Sequence, residues 1–141
     1  FSKIIDKINI LYYNMINQTG NRGNMKLFAN NKKVQEFFED YTKIAKKHGT
    51  EFARRLQRRI AELSSYENVY ELFGSKLGSP HYLKGDLDTC LAVSITGNLR
   101  LILETGISQK NRNALDVLKL TEIEIKGVVD YHGDKYEWII P

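Results

Sequence analysis

The chain has 141 residues, a net charge of +4, 42% hydrophobic residues and 27% charged residues, which suits one domain with a single modest core. Its single cysteine excludes an internal disulfide and offers no cysteine spacing for a metal, so a reducing cytosol is the expected compartment. No apolar stretch approaches the roughly 20 residues of a membrane span, and the mildly basic charge is compatible with an anionic partner without requiring one.

Residues 1–24 differ in character from the rest of the chain. Apolar side chains recur there at helical spacing and predict an amphipathic helix, namely Ile4, Ile5, Ile8, Leu11, Tyr12 and Met15. A polar, glycine-containing stretch over residues 18–24 then predicts a flexible linker. We expect residues 1–24 to be either an accessory helix and linker or an extension introduced by cloning or gene assignment. Residues 25–141 are expected to form the domain.

The first part of that domain predicts a short strand followed by two helices. Residues 25–29 suit a strand, and an apolar stripe over residues 34–45 indicates a helix that ends at Gly49. Thr50 can cap a second helix, whose core-facing residues are Phe52, Leu56, Ile60 and Leu63. Because the connection is so short, the two helices are predicted to form an antiparallel hairpin.

Beyond Pro80 the pattern changes from helical to alternating, with a polar loop over residues 105–116 and a tight turn over residues 96–98. Strands are predicted over residues 81–84, 90–95, 99–104, 117–129 and 135–140. The order of strand, two helices and a run of strands predicts the α+β class, with an N-terminal helical hairpin packed on a small antiparallel sheet and an extra N-terminal helix.

Four arginines form one stripe along the second predicted helix, namely Arg54, Arg55, Arg58 and Arg59. Their spacing places them on one side of the helix. Such a stripe can bind ribosomal RNA or an acidic partner through its charge. An ordinary solvated helix face, partly neutralised by Glu51 and Glu62, explains the same pattern equally well.

A second set of polar residues lies on or near the predicted strands, and their side chains suit cleavage of RNA without a metal. These residues are His81, Lys84, Arg100, Asp130, Tyr131 and His132. Cleavage through the 2′-hydroxyl needs a base, cations for the phosphate, and an acid for the departing 5′-oxygen. Histidine suits both proton transfers, and arginine offers phosphate two charge-assisted hydrogen bonds. Tyrosine can stack on a base, and aspartate can orient a histidine. Each of these residues alone is more often a surface or packing residue.

Residues 25–132 resemble the HigB branch of the RelE/ParE-like toxins of bacterial toxin–antitoxin systems. The resemblance rests on the helical hairpin and then, in order, on His81-x-Leu83-Lys84-Gly85-Asp86, Ser94-Ile95-x-Gly97-Asn98-x-Arg100-Leu101 and Val129-Asp130-Tyr131-His132. The chain departs from the family pattern at Tyr82, where proline is common, and at Leu99, where an aromatic residue is common.

The resemblance implies a RelE-like fold and a ribosome-dependent mRNA endonuclease that needs no metal or other cofactor and acts in the cytoplasm. His81 and His132 would be the acid and base, in an order that the sequence leaves open. Arg100 would clamp the phosphate, Lys84 would add positive charge, and residues 130–131 would position the site. A HigA-like antitoxin with a helix-turn-helix domain would be the protein partner, operator DNA would be contacted only through it, and no membrane partner is expected.

Two functions of other classes stay open from the sequence. A ParE-like toxin on the same scaffold inhibits gyrase by binding, and a fold does not determine which function it carries. A non-catalytic RNA- or protein-binding module would instead rely on the arginine stripe. The two histidines argue against gyrase inhibition, because binding alone needs no acid–base pair.

Overall fold

A computed structural model describes residues 25–107 and 120–141, so the helix and linker predicted for residues 1–24 and most of the loop predicted for residues 105–116 lie outside the described residues. The described ranges contain four α-helices, namely α1 (Lys32–Glu39), α2 (Tyr41–His48), α3 (Thr50–Ser64) and α4 (Val69–Ser75). They also contain six strands, namely β1 (Lys26–Phe28), β2 (His81–Tyr82), β3 (Cys90–Thr96), β4 (Leu99–Glu104), β5 (Glu122–His132) and β6 (Lys135–Ile140).

The first predicted helix is in fact two helices, because Asp40 interrupts it. The extended backbone of Asp40, with φ −138° and ψ 92°, ends α1. Its Oδ1 then accepts hydrogen bonds from the amides of Thr42 (3.0 Å) and Lys43 (3.3 Å) at the start of α2. Asn31 caps α1 in the same way. A side chain that satisfies the free amides of a new helix favours a helix start over a continuous helix.

All six strands belong to one mixed sheet with the order β1-β5-β4-β3-β2, and β6 also pairs with β5. β1 runs parallel to the start of β5, with Lys26 opposite Glu122, whereas the other pairs are antiparallel. The Lys26 amide also donates to the Thr121 carbonyl oxygen (2.8 Å). Because β4 occupies one edge of β5, β1 and β6 share successive parts of its other edge.

The predicted α+β architecture, a RelE-like helical hairpin on a small antiparallel sheet, is therefore wrong. The described chain is a mixed α/β arrangement of four helices and a six-stranded sheet, with most strands in the C-terminal half. Local patterns could not reveal this arrangement. β1 is only three residues long, and its parallel partner lies near the other end of the chain.

Alternation along the strands gives the sheet two different faces. The helix face packs against all four helices, and its buried core joins Leu91 and Leu101 of the sheet to Phe38 of α1 and Leu56 of α3. The far face carries a smaller buried cluster, formed by Leu83, Cys90, Ala92, Ile102 and Val129. No residue of the described helices belongs to this second cluster.

Gly127 allows the end of β6 to approach the backbone of β5. Residues with a side chain rarely adopt its φ of +146°. The Ile140 carbonyl and the Pro141 ring also occupy the space that a Cβ would need. The pairing of β5 with β4 also skips one residue here, Lys126. A glycine and a bulge at this position are what the close approach requires.

Candidate functional site

Arg100 projects from the far face at the start of β4, opposite Val129 of β5. Its Nη1 donates to the Gly97 carbonyl oxygen (2.7 Å) and to the Leu99 carbonyl oxygen (3.1 Å). These bonds fix the guanidinium against the turn between β3 and β4. Since a guanidinium has five N–H donors, the remaining donors of Arg100 are left for an anion.

Tyr131 projects from the same face near the end of β5. It packs against the far-face cluster, and its amide donates to the Asn98 carbonyl oxygen (3.0 Å) in the β3–β4 turn. Burial raises the pKa of the Tyr131 phenol, the neighbouring Tyr136 raises it further, and the charge of Arg100 opposes both. The phenol therefore keeps its proton at neutral pH and can donate a hydrogen bond.

Asp130 and His132 alternate with Tyr131 along β5 and so start from the helix face. The Nε2 atom of His132 lies 3.3 Å from Oδ2 of Asp130. This carboxylate can orient the imidazole. The His132 side chain is 59% exposed, so the pair is open to a ligand from solvent.

Four of the six predicted catalytic residues thus meet at one end of the sheet, but on two faces. Arg100 and Tyr131 lie on the far face, whereas Asp130 and His132 start from the helix face. His132 is the last residue of β5 and its side chain is 59% exposed, so it can be reached around this end of the sheet. A ligand that crosses this end of the sheet can contact both pairs, and a ligand confined to one face cannot.

His81 and Lys84 lie apart from that group. His81 pairs with Ala92 on the β2 edge of the sheet, two strands and roughly 10 Å away from β4. Its Nδ1 lies 3.0 Å from the Ser79 carbonyl oxygen. Lys84 is exposed just before the 3₁₀ turn Gly85–Leu87. The structure therefore does not bring these two residues into contact with the group at the end of β5.

A cleft of about 330 Å³ beside α3, here called the arginine cleft, is lined by Arg54, Arg55, Arg58, Arg59, Glu62, Leu77 and Ile95. Glu51 accepts hydrogen bonds from the first two arginines, which lowers the pKa of its carboxyl group. The other two arginines lie 3.7 and 3.8 Å from Glu62. The Arg59 side chain is only 17% exposed, and its Nε has no hydrogen-bond partner among the described residues. This buried donor distinguishes the cleft from an ordinary solvated helix face.

Two aromatic residues of β6 were missed by sequence reasoning. Tyr136 lies opposite Tyr131, and Trp138 lies opposite Val129, so both project from the far face. The Tyr136 ring centroid is 5.8 Å from that of Tyr131 and 6.3 Å from that of Trp138. Tyr136 is 41% exposed and Trp138 is 38% exposed. Their spacing of two residues in a predicted strand was the available signal, since such residues share a face.

Cys90 is buried in the far-face cluster, where burial, with a smaller contribution from Glu104, raises the pKa of its thiol to about 11. A raised pKa leaves less thiolate, the reactive form. We therefore expect Cys90 in the folded protein to react with a thiol reagent at about pH 8 roughly 100-fold more slowly than in the unfolded chain. Equal rates before and after addition of denaturant would contradict this placement.

No group of three or more His, Cys, Asp or Glu side chains arranged to hold a metal ion occurs within residues 25–107 and 120–141. None of the helices in these ranges has the length and apolar character needed to cross a membrane. Comparison of the chain with family models, with curated proteins and with solved structures finds no match. A function for this chain therefore rests on its own residues.

Proposed function

We propose that the chain is the toxin of a type II toxin–antitoxin system and acts as a ribosome-dependent, metal-independent mRNA endonuclease. The observation that carries this proposal is the group of side chains at the end of β4 and β5. Arg100 and Tyr131 lie there on one face, and the Asp130–His132 pair lies at the margin of the other. Two neighbouring strands thus supply a phosphate clamp, a phenol and a proton-transfer group. The resemblance of the same residues to HigB toxins supports the same function.

In the proposed reaction the 2′-hydroxyl loses its proton, and its oxygen attacks the adjacent phosphorus. The bond from phosphorus to the 5′-oxygen breaks, and that oxygen takes up a proton, which leaves a 2′,3′-cyclic phosphate and a 5′-hydroxyl. His132, oriented by Asp130, makes one of the two proton transfers. Arg100 stabilises the charge that develops on the phosphate oxygens, and Tyr131 contacts the adjacent nucleotide.

His81 and Lys84 enter this reaction only if RNA extends across the far face towards β2. His81 is then the candidate for the second proton transfer, because the far face also carries Arg100. Lys84 adds positive charge along the same route. The separation of these residues from Arg100 makes their expected effect on cleavage smaller than that of His132.

The arginine cleft supports contact with ribosomal RNA in the same proposal. It reaches Ile95 near the end of β3, and this is the end of the sheet at which His132 lies. An RNA phosphate in the cleft would accept hydrogen bonds from the guanidinium groups that line it. The proposed protein partner is a HigA-like antitoxin with a helix-turn-helix domain, through which operator DNA is contacted indirectly, and the proposed site of action is the cytoplasm.

Inducible expression with mapping of mRNA ends tests the proposed function. The wild type is expected to arrest growth and to create new mRNA ends inside translated codons. His132→Ala is expected to lower the number of those ends by about 100-fold or more, because it removes a proton-transfer group. Lys33→Ala, on an exposed position of α1, is the control and should behave as the wild type. Growth arrest without new mRNA ends would contradict the proposal, and relaxed plasmid DNA would then indicate gyrase inhibition.

A non-catalytic RNA-binding module is the second candidate function. The exposed rings of Tyr136 and Trp138 and the arginines that line the cleft favour it, since such groups can bind RNA without an acid or a base. Such a module would bind RNA equally well as wild type and as His132→Ala, and neither protein would create new mRNA ends.

A further inference from the structure

The far face carries a row of aromatic rings that begins at Tyr131 and continues onto β6. Consecutive ring centroids are 5.8 and 6.3 Å apart, from Tyr131 to Tyr136 and from Tyr136 to Trp138. The outer two rings remain more than a third exposed although their strand is paired to β5. The planes of Tyr131 and Tyr136 are inclined by 53° and those of Tyr136 and Trp138 by 83°, so each exposed ring can contact a separate flat group of a ligand.

A cation borders this row. Arg100 stands across Val129 from Trp138, so it lies on the same face, two strands away. Aromatic rings beside a cation suit a single-stranded nucleic acid, because rings stack on bases and a cation contacts phosphates.

We propose that Tyr131, Tyr136 and Trp138 form a stacking platform for single-stranded RNA, on which the nucleotides beside the phosphate held by Arg100 lie. The platform deepens the proposed endonuclease function and rests on it for the identity of the ligand. Duplex RNA is excluded, since its bases are already stacked on each other and cannot lie against the rings. Every base has a flat face, so the platform accepts RNA with little sequence preference.

A cleft of about 300 Å³ continues the platform beyond Trp138 and is lined by Asn31, Glu124, Lys126, Trp138 and Pro141. It holds one carboxylate and one ammonium, whose charges cancel. A phosphate therefore gains little by entering, whereas a base can stack on Trp138 and donate an N–H group to Glu124. The strand on the platform thus ends with one base in this cleft.

Trp138 is the single tryptophan of the chain, so its fluorescence reports directly on the platform. The probe is a decauridylate with 2′-O-methyl riboses, which cannot be cleaved through the 2′-oxygen. We expect this probe to quench Trp138 fluorescence in a saturable manner, and the same probe paired with oligoadenylate to give no quenching. Tyr136→Ala should weaken binding by about 10- to 100-fold, the loss of one stacked base.

Two further variants complete the experiment. Tyr70→Ala removes a more exposed tyrosine, 56% exposed on α4, and should bind the probe as the wild type does. Trp138→Phe keeps an aromatic face and should bind labelled probe within about threefold of the wild type by anisotropy. Binding without quenching, equal quenching by the duplex, or unchanged affinity of Tyr136→Ala would each overturn the platform. None of these results depends on cleavage, so a platform without endonuclease activity would contradict the proposed function alone.

Discussion

Arg100→Ala is expected to lower the rate of mRNA cleavage by about 100- to 1,000-fold while the protein stays folded. The side chain is partly exposed, and its loss opens no cavity in the core. The Gly97 and Leu99 carbonyls that lose a donor lie at a surface turn, where water can replace it. Arg100→Lys should restore only part of the rate, because an ammonium cannot form the two parallel hydrogen bonds of a guanidinium.

The measurement is single-turnover cleavage of a defined mRNA on programmed ribosomes, followed by primer extension. Thermal unfolding of each variant shows whether the fold is kept, and Lys33→Ala again controls for loss of one surface charge. If folded Arg100→Ala cleaves mRNA within about twofold of the wild-type rate, Arg100 is not part of the catalytic site.

Gly127→Ala is expected to lower the free energy of unfolding by about 3 kcal/mol or more. The new methyl group would overlap the Ile140 carbonyl, and the φ of +146° is unfavourable for alanine. A movement of the end of β6 away from β5 would relieve this overlap. The same movement would take Trp138 out of the stacking platform. Both stability and RNA binding should therefore fall together.

Urea unfolding followed by circular dichroism measures this effect. Gly74→Ala is the matched control, because Gly74 lies in α4 with no neighbouring atom within 4 Å of the added Cβ. Alanine in a helix is favourable, so this control should gain about 0.5–1 kcal/mol. A loss below about 0.5 kcal/mol for Gly127→Ala would contradict the close approach of the β5 and β6 backbones.

The hairpin of β3 and β4 shows which features of the fold could be predicted from sequence. The predicted boundaries of β4, residues 99–104, agree with the structure, and β3 extends only one residue beyond the predicted residues 90–95. Alternation of side chains and a short turn are local signals, and both lie within this segment. The clustering of Arg100 with the end of β5 follows from this hairpin, because β5 pairs with β4.

Features that depend on distant pairing or on one capping side chain were not predicted. Asp40 divides a continuous apolar stripe into two helices, because its carboxylate satisfies the amides at the start of α2. β1 joins β5 in parallel, which no local pattern indicates. The strand order also decides that His81 lies on the β2 edge, away from His132, although both histidines suit the same chemistry. Alternation alone could have separated Asp130 from Tyr131, since adjacent strand residues point to opposite faces.

The chemistry of the cleaved ends in a purified translation system tests the central claim most directly. Protein, ribosomes and a defined mRNA are combined, and the same mixture without ribosomes is the control. The proposed function predicts cuts only when ribosomes are present, with a 2′,3′-cyclic phosphate on one product and a 5′-hydroxyl on the other. Products with 5′-phosphate ends, or intact mRNA on ribosomes, would contradict it.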